Sequence, residues 1–559
     1  MGVETEYALG GQSREAVVNA LFALIRGNVP ALPGFLTRDL FLSNGSRLYV
    51  DSGLHPELST PECLDPADVV RYLSAGDRLL ADALRELPGS LRAEAGTGLY
   101  KCNVDYSGAK TTWGSHESYL HRSPPVDFPA EIIPHLVSRL IFTGAGGFNP
   151  FSSGIEFTLS PRSWHLGSAE APTSIAERGI FHTKDEPLAR GGYHRMHLLC
   201  GESLCSRIAN WLRVGTTALV VASIDAGGKP GSPVRLKDPV AALRAFAADQ
   251  TCRTTVKLER GECTTAIAIQ RQFLREVKRH LSHGAVPEWA RDVCEVWGSV
   301  LDTLEFQPDL FSTTLDWAIK LAVYKERASQ KGIRWEDLPV WNEVIRTIMA
   351  AVRKSGFKDR PTVEVVLGRE GKPSPIPGTI AELTPFVESH SLSWDMLRPI
   401  VNLRKELFEL DFRFGHIGEG GVFEELDRAG VLTHDAPGVE NIESAMTEPP
   451  SRGRARARGE HVKAVAGRQN FACSWTGIID LTGGRKLDLS NPFVRRGRWR
   501  RLTRTERSHY DTSTALSGGR SGLLWRSRPG RSVWSDLFQH STSVSERQRV
   551  ERSRGGEGS

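Results

Sequence analysis

No apolar run in this chain is long enough to cross a bilayer. The longest, around 214–224, falls short of the roughly 18–20 residues that a spanning helix needs. The opening residues M-G-V-E-T-E-Y are polar and acidic, so no secretory signal is expected, and Glu6 stands where a myristoylation signal requires Ser or Thr. Cysteine is sparse, 8 in 559 residues, with no C-x-x-C and no regular spacing, which excludes a disulfide framework and a zinc ribbon. Cys200 and Cys205, the nearest pair, are expected as buried thiols. No G-x-x-x-x-G-K-[ST] is present, so there is no P-loop. The clusters G-A-G-G-F (144–148) and G-E-G-G-V (418–422) lack G-x-G-x-x-G spacing and read as turns. Charge is close to balance, 71 Lys and Arg against 66 Asp and Glu, and a net +5 over this length does not argue for nucleic acid. What remains is a cytoplasmic, globular protein of ordinary composition, long enough for more than one domain.

What is present concentrates in residues 41–60, F-L-S-N-G-S-R-L-Y-V-D-S-G-L-H-P-E-L-S-T. Asn44-Gly45 between two apolar runs predicts a tight β-hairpin turn. On the outgoing strand Arg47, Tyr49 and Asp51 alternate and share one face, while Leu48 and Val50 face a core. His55, Glu57 and Ser59 alternate again beyond Ser52-Gly53. At the amino terminus Glu4 and Glu6 share a face, opposite Val3, Thr5 and Tyr7. If that strand lies beside residues 47–51, several carboxylates meet on one surface, and repulsion forbids this unless cations sit between them. Hard divalent ions with oxygen ligands, Mg²⁺ above all, suit that role. The plainer alternative is an amphipathic edge strand with solvated glutamates.

M-G-V-E-T-E-Y together with N-G-S-R-L-Y-V-D-S-G-L-H-P-E-L-S-T resembles the family of Pup ligases (proteasome accessory factor A-like) and their sisters, the deamidases of Pup. Both are carboxylate-amine ligase relatives of glutamine synthetase. The similarity continues through L-Y-K-C-N-V-D (99–105), G-S-H-E-S-Y-L (114–120), H-T-K-D-E-P (182–187), Y-H-R-M-H (193–197), W-L-R-V-G-T-T-A-L-V (211–220), L-D-W-A-I-K (315–320) and F-A-C-S-W (471–475). The resemblance implies that Glu4, Tyr49 and Glu57 are Mg²⁺ ligands and that Arg47, Thr60 and Trp475 contact ATP. It implies that Asp51 is the catalytic base. Glu6 and His116 join the metal-ligand candidates, and His197 is a looser one. Lys184 stands where relatives carry Arg in T-R-D-E-P; it can meet phosphate as a point charge but not bidentately.

The implied activity is an ATP-dependent isopeptide ligation, through a γ-glutamyl phosphate, between the terminal glutamate of a Pup-like protein (small, disordered and acidic) and lysines of target proteins. The sister activity is hydrolysis of a terminal glutamine amide or of that isopeptide bond. Deamidases usually carry a long insertion between the first strand and R-L-Y-V-D, and one residue fewer between the catalytic Asp and the H-P-E glutamate. Neither feature occurs here, which favours the ligase; Lys184 weighs against it. Two readings outside the pair are a ligase for a small amino acid and a non-catalytic adaptor.

The coarse pattern is α+β, an antiparallel sheet packed against segregated helices. Helical periodicity is expected at 14–25, 67–87, 129–141, 203–212, 239–248, 266–283, 289–304, 312–328, 394–410 and 422–429. The resemblance implies a glutamine-synthetase-like curved sheet cradle in a catalytic domain at 1–435, with an insertion at about 333–403 that includes a Pro/Gly-rich loop at 369–379. A small C-terminal domain at 436–498 follows. Its entry, S-R-G-R-A-R-A-R-G-E (451–460), reads as a solvated face or as a dock for an acidic partner. Residues 499–559, a basic Ser/Arg-rich tail, have the composition of a disordered segment and are the one place where nucleic acid binding is expected, if anywhere.

Overall fold

The opening strand β1 (Gly2–Glu6) buries Val3 and Thr5, so alternation turns Glu4 and Glu6 to the opposite face. Helix α1 (Arg14–Asn28) buries Val17, Val18, Leu21 and Ile25 at helical spacing. Four short strands follow: β2 (Ala31–Pro33), β3 (Asp39–Leu42), β4 (Arg47–Asp51) and β5 (His55–Ser59). The β3–β4 hairpin forms where Asn44-Gly45 predicts it, but over a four-residue link. Leu42 N–H donates to the Ser46 carbonyl at 2.9 Å, and Gly45 takes φ +87°. The Asn44 carboxamide accepts from Ser46 N–H and donates to the Ala445 carbonyl, both at 2.9 Å, so a distant segment fixes the turn.

Helix α2 (Pro66–Arg85) begins as Asp65-Pro66 predicts: the Asp65 carboxylate accepts from Asp68 N–H at 2.8 Å and Pro66 takes the first turn. Two strands that hydrophobic patterning does not show, β6 (Ser115–His121) and β7 (His194–Leu198), complete the main sheet. Its order is β7-β6-β1-β5-β4-β3-β2, with every neighbouring pair antiparallel. The amino-terminal strand therefore lies between β5 and β6 and not directly beside β4.

One face of this sheet is covered by helices. Val3, Tyr119, Met196 and Leu198 enter a large core with Val69, Leu212 and Trp297, and Leu40, Leu42, Leu48 and Leu58 enter a second with Val17, Leu21 and Leu79. Behind it runs α3 (Arg207–Asp225), started by the Ser206 hydroxyl accepting from Ala209 N–H, and packed against α2 and the helices Ala266–Leu281 and Glu288–Phe306. The fold is mixed α+β with antiparallel sheets.

The structure, a computed structural model, describes residues 1–106, 111–172, 178–184, 188–282, 286–354, 363–367, 377–504 and 506. Within 333–403 the described parts are helical: Leu338–Lys354, Val363–Leu367 and Pro377–Ser389, then the start of Leu397–Phe414. The Pro/Gly-rich loop lies outside the described residues as far as 376.

Helix α4 (Gly453–Val465) leads into a second antiparallel sheet of β8 (Phe471–Ser474), β9 (Gly477–Asp480), β10 (Arg485–Asp488) and β11 (Arg498–Arg501). Leu32 and Phe41 of the main sheet share a core with Phe471, Cys473, Ile478 and Leu487, which seats this sheet on the end of the first. Strand β11 runs past residue 498, where the tail was expected to begin. Met1–Arg504 is one compact unit. The remainder of the expected tail, other than residue 506, lies outside the described residues. Among the described residues no helix is long and apolar enough to cross a membrane. All eight cysteines are free, with Cys200 and Cys205 half-buried.

Candidate active site

The uncovered face of the main sheet carries two rows of polar side chains set by strand register. In one, Arg47 lies opposite Ser59, Ser59 opposite Glu4, and Glu4 opposite His116. In the next, Tyr49 lies opposite Glu57 and Glu57 opposite Glu6. Asp51 faces His55 across the β4–β5 pair. Like charges directly opposite on adjacent strands destabilise a sheet, so Glu6 across from Glu57 needs a compensating charge.

Two clusters result. Ligand atoms of Glu6, Asp51 and Glu57 lie within 4.8 Å of one another, and so do those of Glu4, His116 and His197. His116 Nδ1 is 3.5 Å from Glu4 Oε2 and 3.9 Å from Glu57 Oε1, and His197 Nε2 is 3.3 Å from Glu4 Oε2. Glu57 is 2% exposed, and its Oε1 is buried without a hydrogen-bond partner. Burial, then the charges of Glu4 and Glu6, pushes its carboxyl well above the usual range. Burial also pushes His197 down to about 4 against the opposing pull of Glu4, so the imidazole is neutral at neutral pH. Burial, with Glu4 and Glu57, holds the Tyr49 phenol in its neutral form.

This donor set fits divalent cations. One cluster is all oxygen, as Mg²⁺ requires, and a buried carboxylate oxygen without a partner is what a bound cation would satisfy. The other adds two imidazoles to a carboxylate, with His197 neutral and so able to offer a lone pair.

Arg47 stands at the edge of this face. Its Nε and Nη2 donate to Asp39 Oδ1 and Oδ2 at 2.7 and 2.9 Å, and its guanidinium lies 4.3 Å from the Tyr49 ring centroid and 5.4 Å from that of Phe41. The rings of Phe41 and Trp475 meet edge-on at 5.3 Å. Trp475, at the end of β8, is half-buried, leaving part of the indole open. Phe41 thus packs against both of the residues expected at opposite ends of a nucleotide. The Thr60 hydroxyl accepts from Val3 N–H at 3.0 Å, and the residue is 3% exposed.

Lys184 follows the strand Gly179–His182. It is exposed at a crevice of about 430 Å³ lined also by His121, His182 and Arg195. Arg195 links that crevice to the cluster, its Nη2 2.9 Å from His197 Nδ1.

The arginines of 451–460 divide between the interior and the surface. Arg454 and Arg458, one turn apart on α4, are 6% and 0% exposed and both pair with Glu62, while Arg452 and Arg456 are exposed, the latter paired with Glu460. Sequence reasoning missed Asp39, Phe41, Glu62 and Arg458. The i, i+4 spacing of Arg454 and Arg458 is the signal that would have put those two on one helix face.

A family model described as Pup-ligase protein matches residues 11–344 and 384–479, leaving 345–383 between the two segments. The chain is 36% identical over 307 residues to a Pup deamidase/depupylase of Mycobacterium tuberculosis, covering 53% of this chain and 60% of that protein. It is 34% identical over 334 residues to a Pup--protein ligase of Paenarthrobacter aurescens, covering 57% and 72%. With Pup--protein ligase 1 of Rhodococcus erythropolis it shares 28% identity over 496 residues, 85% of this chain and 92% of the relative. In fold it is similar to the Pup ligase PafA in complex with Pup, with a TM-score of 0.63 and 23% identity, covering 92% of each chain. PafA in complex with ADP gives 0.61 over 86% and 90%. With more than half of its length matched by that family's model, and the motif residues gathered on one sheet face, the chain belongs to the Pup ligase family.

Proposed function

We propose that the chain is an ATP-dependent carboxylate-amine ligase that joins the C-terminal glutamate of a Pup-like protein to lysines of target proteins. The observation that carries this reading is Glu57. Glu57 is buried opposite Glu6 with one oxygen unpartnered, so it carries its charge at neutral pH only with a cation beside it, on a sheet face whose other residues suit a nucleotide.

In this reading Glu4, Glu6, Tyr49, Glu57 and His116 hold Mg²⁺, joined by His197. Arg47, Thr60 and Trp475 contact ATP, and Lys184 approaches from the adjoining crevice. Mg²⁺, when bound, neutralises the triphosphate charge. Arg47 has one guanidinium edge taken by Asp39 and offers Nη1 to phosphate. The substrate's γ-carboxylate receives the terminal phosphoryl group of ATP, giving an acyl phosphate and ADP. A lysine ammonium, with a reference pKa near ~10.4, gives a proton to Asp51. Its nitrogen then forms the C–N bond as the acyl C–O bond breaks, and the departing phosphate carries off the nitrogen's second proton. An ATP-consuming reaction suits the cytoplasmic setting read from the sequence.

Two features support ligation over hydrolysis. Only α1 and short strands separate Glu6 from Arg47, and Asp51 and Glu57 keep the ligase spacing. The broader coverage of a ligase relative agrees. The second reading, a Pup deamidase or depupylase, is favoured by the 36% identity to such proteins. The chain spans 60% of their length, so this identity is regional.

The test supplies purified protein with Mg-ATP, a Pup-like protein ending in Glu, and a lysine-bearing target. A conjugate of higher mass, with one ADP and one phosphate released per bond, is expected. Hydrolysis of a Gln-ended Pup or of a preformed conjugate, without one ATP consumed per event, would replace this reading with the second.

A further inference from the structure

Arg47 is held by Asp39 and the 34–36 turn, which no motif contains. Both of its contacts to Asp39 are in the plane of the guanidinium, and Asp39 Oδ2 also accepts from Phe35 N–H at 3.0 Å and Leu36 N–H at 3.3 Å. The Asp39 residue is 5% exposed. The tight turn depends on Gly34, whose N–H donates to the Asp39 carbonyl at 2.9 Å. A methyl added at Gly34 would stand 2.0 Å from Asp39 Oδ2. The Tyr49 and Phe41 rings also pack against the guanidinium, their centroids 4.3 and 5.4 Å from its carbon. Four torsions of a long side chain are thereby fixed before any ligand arrives, and one edge, Nη1, is left over.

We infer that Asp39, seated on the 34–36 turn, is a positioning residue that holds Arg47 ready for a nucleotide phosphate. The inference rests on the reading above that Arg47 contacts ATP. It goes further in assigning Asp39 and Gly34 to nucleotide affinity, although neither would touch the nucleotide. Two effects oppose each other here. Removing the Asp39 charge would, by Coulomb attraction alone, draw polyphosphate more strongly to Arg47. Releasing the side chain makes binding restore its order, which costs affinity. With the guanidinium paired through two nitrogens to Asp39 and packed against two rings, order is the larger effect.

The experiment measures Mg-ADP affinity of the full chain by calorimetry, with melting curves for every variant. Asp39→Asn keeps the shape, and Gly34→Ala displaces the carboxylate while keeping the charge of both Asp39 and Arg47. Each is expected to weaken Mg-ADP by about three- to tenfold, and Arg47→Ala by about ten- to a hundredfold. In turnover, Asp39→Asn raises the KM for ATP more than it lowers kcat. Asp39→Asn in the Arg47→Ala background weakens binding no further, because the aspartate acts only through the arginine. Additive losses, unchanged affinity or tighter binding in Asp39→Asn would overturn the inference while leaving Arg47 as a nucleotide contact. Unchanged affinity in Arg47→Ala is a different failure: it removes Arg47 from the nucleotide site and the inference with it.

Discussion

The guanidinium of Arg458 lies 4.8 Å from the ring centroid of Trp475, so the indole expected at the nucleotide rests on a cation that is itself fully buried. Arg458 is anchored by the Gly45 carbonyl at 2.9 Å and by Glu62 just beyond β5, with Nη1 3.1 Å from Glu62 Oε1. One carboxylate therefore ties α4 and the second sheet to the hairpin that carries the site.

Glu62→Gln leaves Arg454 and Arg458 buried with half their compensation. Loss of one partner from a fully buried pair costs ~3–5 kcal/mol. The Glu62 side chain is 30% exposed, so roughly 2–3 kcal/mol is expected here. The pH dependence has a definite sign. Burial pushes the Glu62 carboxyl upward, but Arg458 and Arg454 outweigh it and bring it down to about 2 from 4.5. A depressed acid contributes stability that is full above 4.5 and is lost as pH falls toward 2. Thermal melts of the wild type and Glu62→Gln should converge on acidification; a constant gap would mean that Glu62 does not supply the acid limb.

Glu57 has the opposite sign. Its carboxyl is raised by burial and by Glu4 and Glu6, so without metal its ionisation opposes folding. Stability of the metal-free protein falls as pH rises above about 4.5. Glu57→Gln should raise the metal-free Tm at pH 8. Mg²⁺ should stabilise the wild type more at pH 8 than at pH 6, since it competes with a proton. If Glu57→Gln retains the full Mg²⁺-induced shift, Glu57 is not a ligand.

The strands that carry this site differ in how legible they are. Residues 47–51 and 3–7 alternate polar with apolar, and their faces are as the sequence predicts. Ser115–His121 escapes because its buried face holds Ser115 and Glu117, with Glu117 0% exposed and taken up by Arg139 at 2.6 and 2.9 Å. Alternation of apolar residues cannot find a strand whose inner face is charged. His116 was suspected from its motif, but its place opposite Glu4 depends on that strand. The position of β1 between β5 and β6 is a long-range pairing that no local pattern encodes. Arg458 reads as solvated for the same reason: its partner, Glu62, is 396 residues away.

The end of the second sheet gives a truncation test. Strand β11 pairs along β10, Arg500 Nε donates to Asp488 at 3.1 Å, and Leu502 is 9% exposed with its N–H on the Gly484 carbonyl. Ending the chain after Arg504 should leave the Tm within about a degree. Ending it after Gly497 removes the strand and should lower the Tm, by about 1 °C per kcal/mol lost in a unit of this size. Equal melting of the two would mean that β11 adds nothing to the fold.

Asp51→Asn separates proton transfer from binding. The side chain keeps its size and an oxygen, and Arg47 and the proposed Mg²⁺ ligands Glu4, Tyr49 and Glu57 are untouched, so Mg-ADP affinity should stay near wild type. Conjugation should fall by roughly 10²–10⁴-fold, the usual range for loss of a general base. If conjugation continues at the wild-type rate, the base is elsewhere, and the register names the next residue. His55 lies directly across from Asp51, and its Nδ1 is 3.1 Å from the Tyr7 carbonyl. A carbonyl only accepts, so Nδ1 carries the hydrogen in the neutral ring and Nε2 keeps a lone pair able to take a proton. His55→Gln would then show the loss that Asp51→Asn did not. With Asp51 as the base, His55→Gln retains most of the conjugation rate and Asp51→Asn does not.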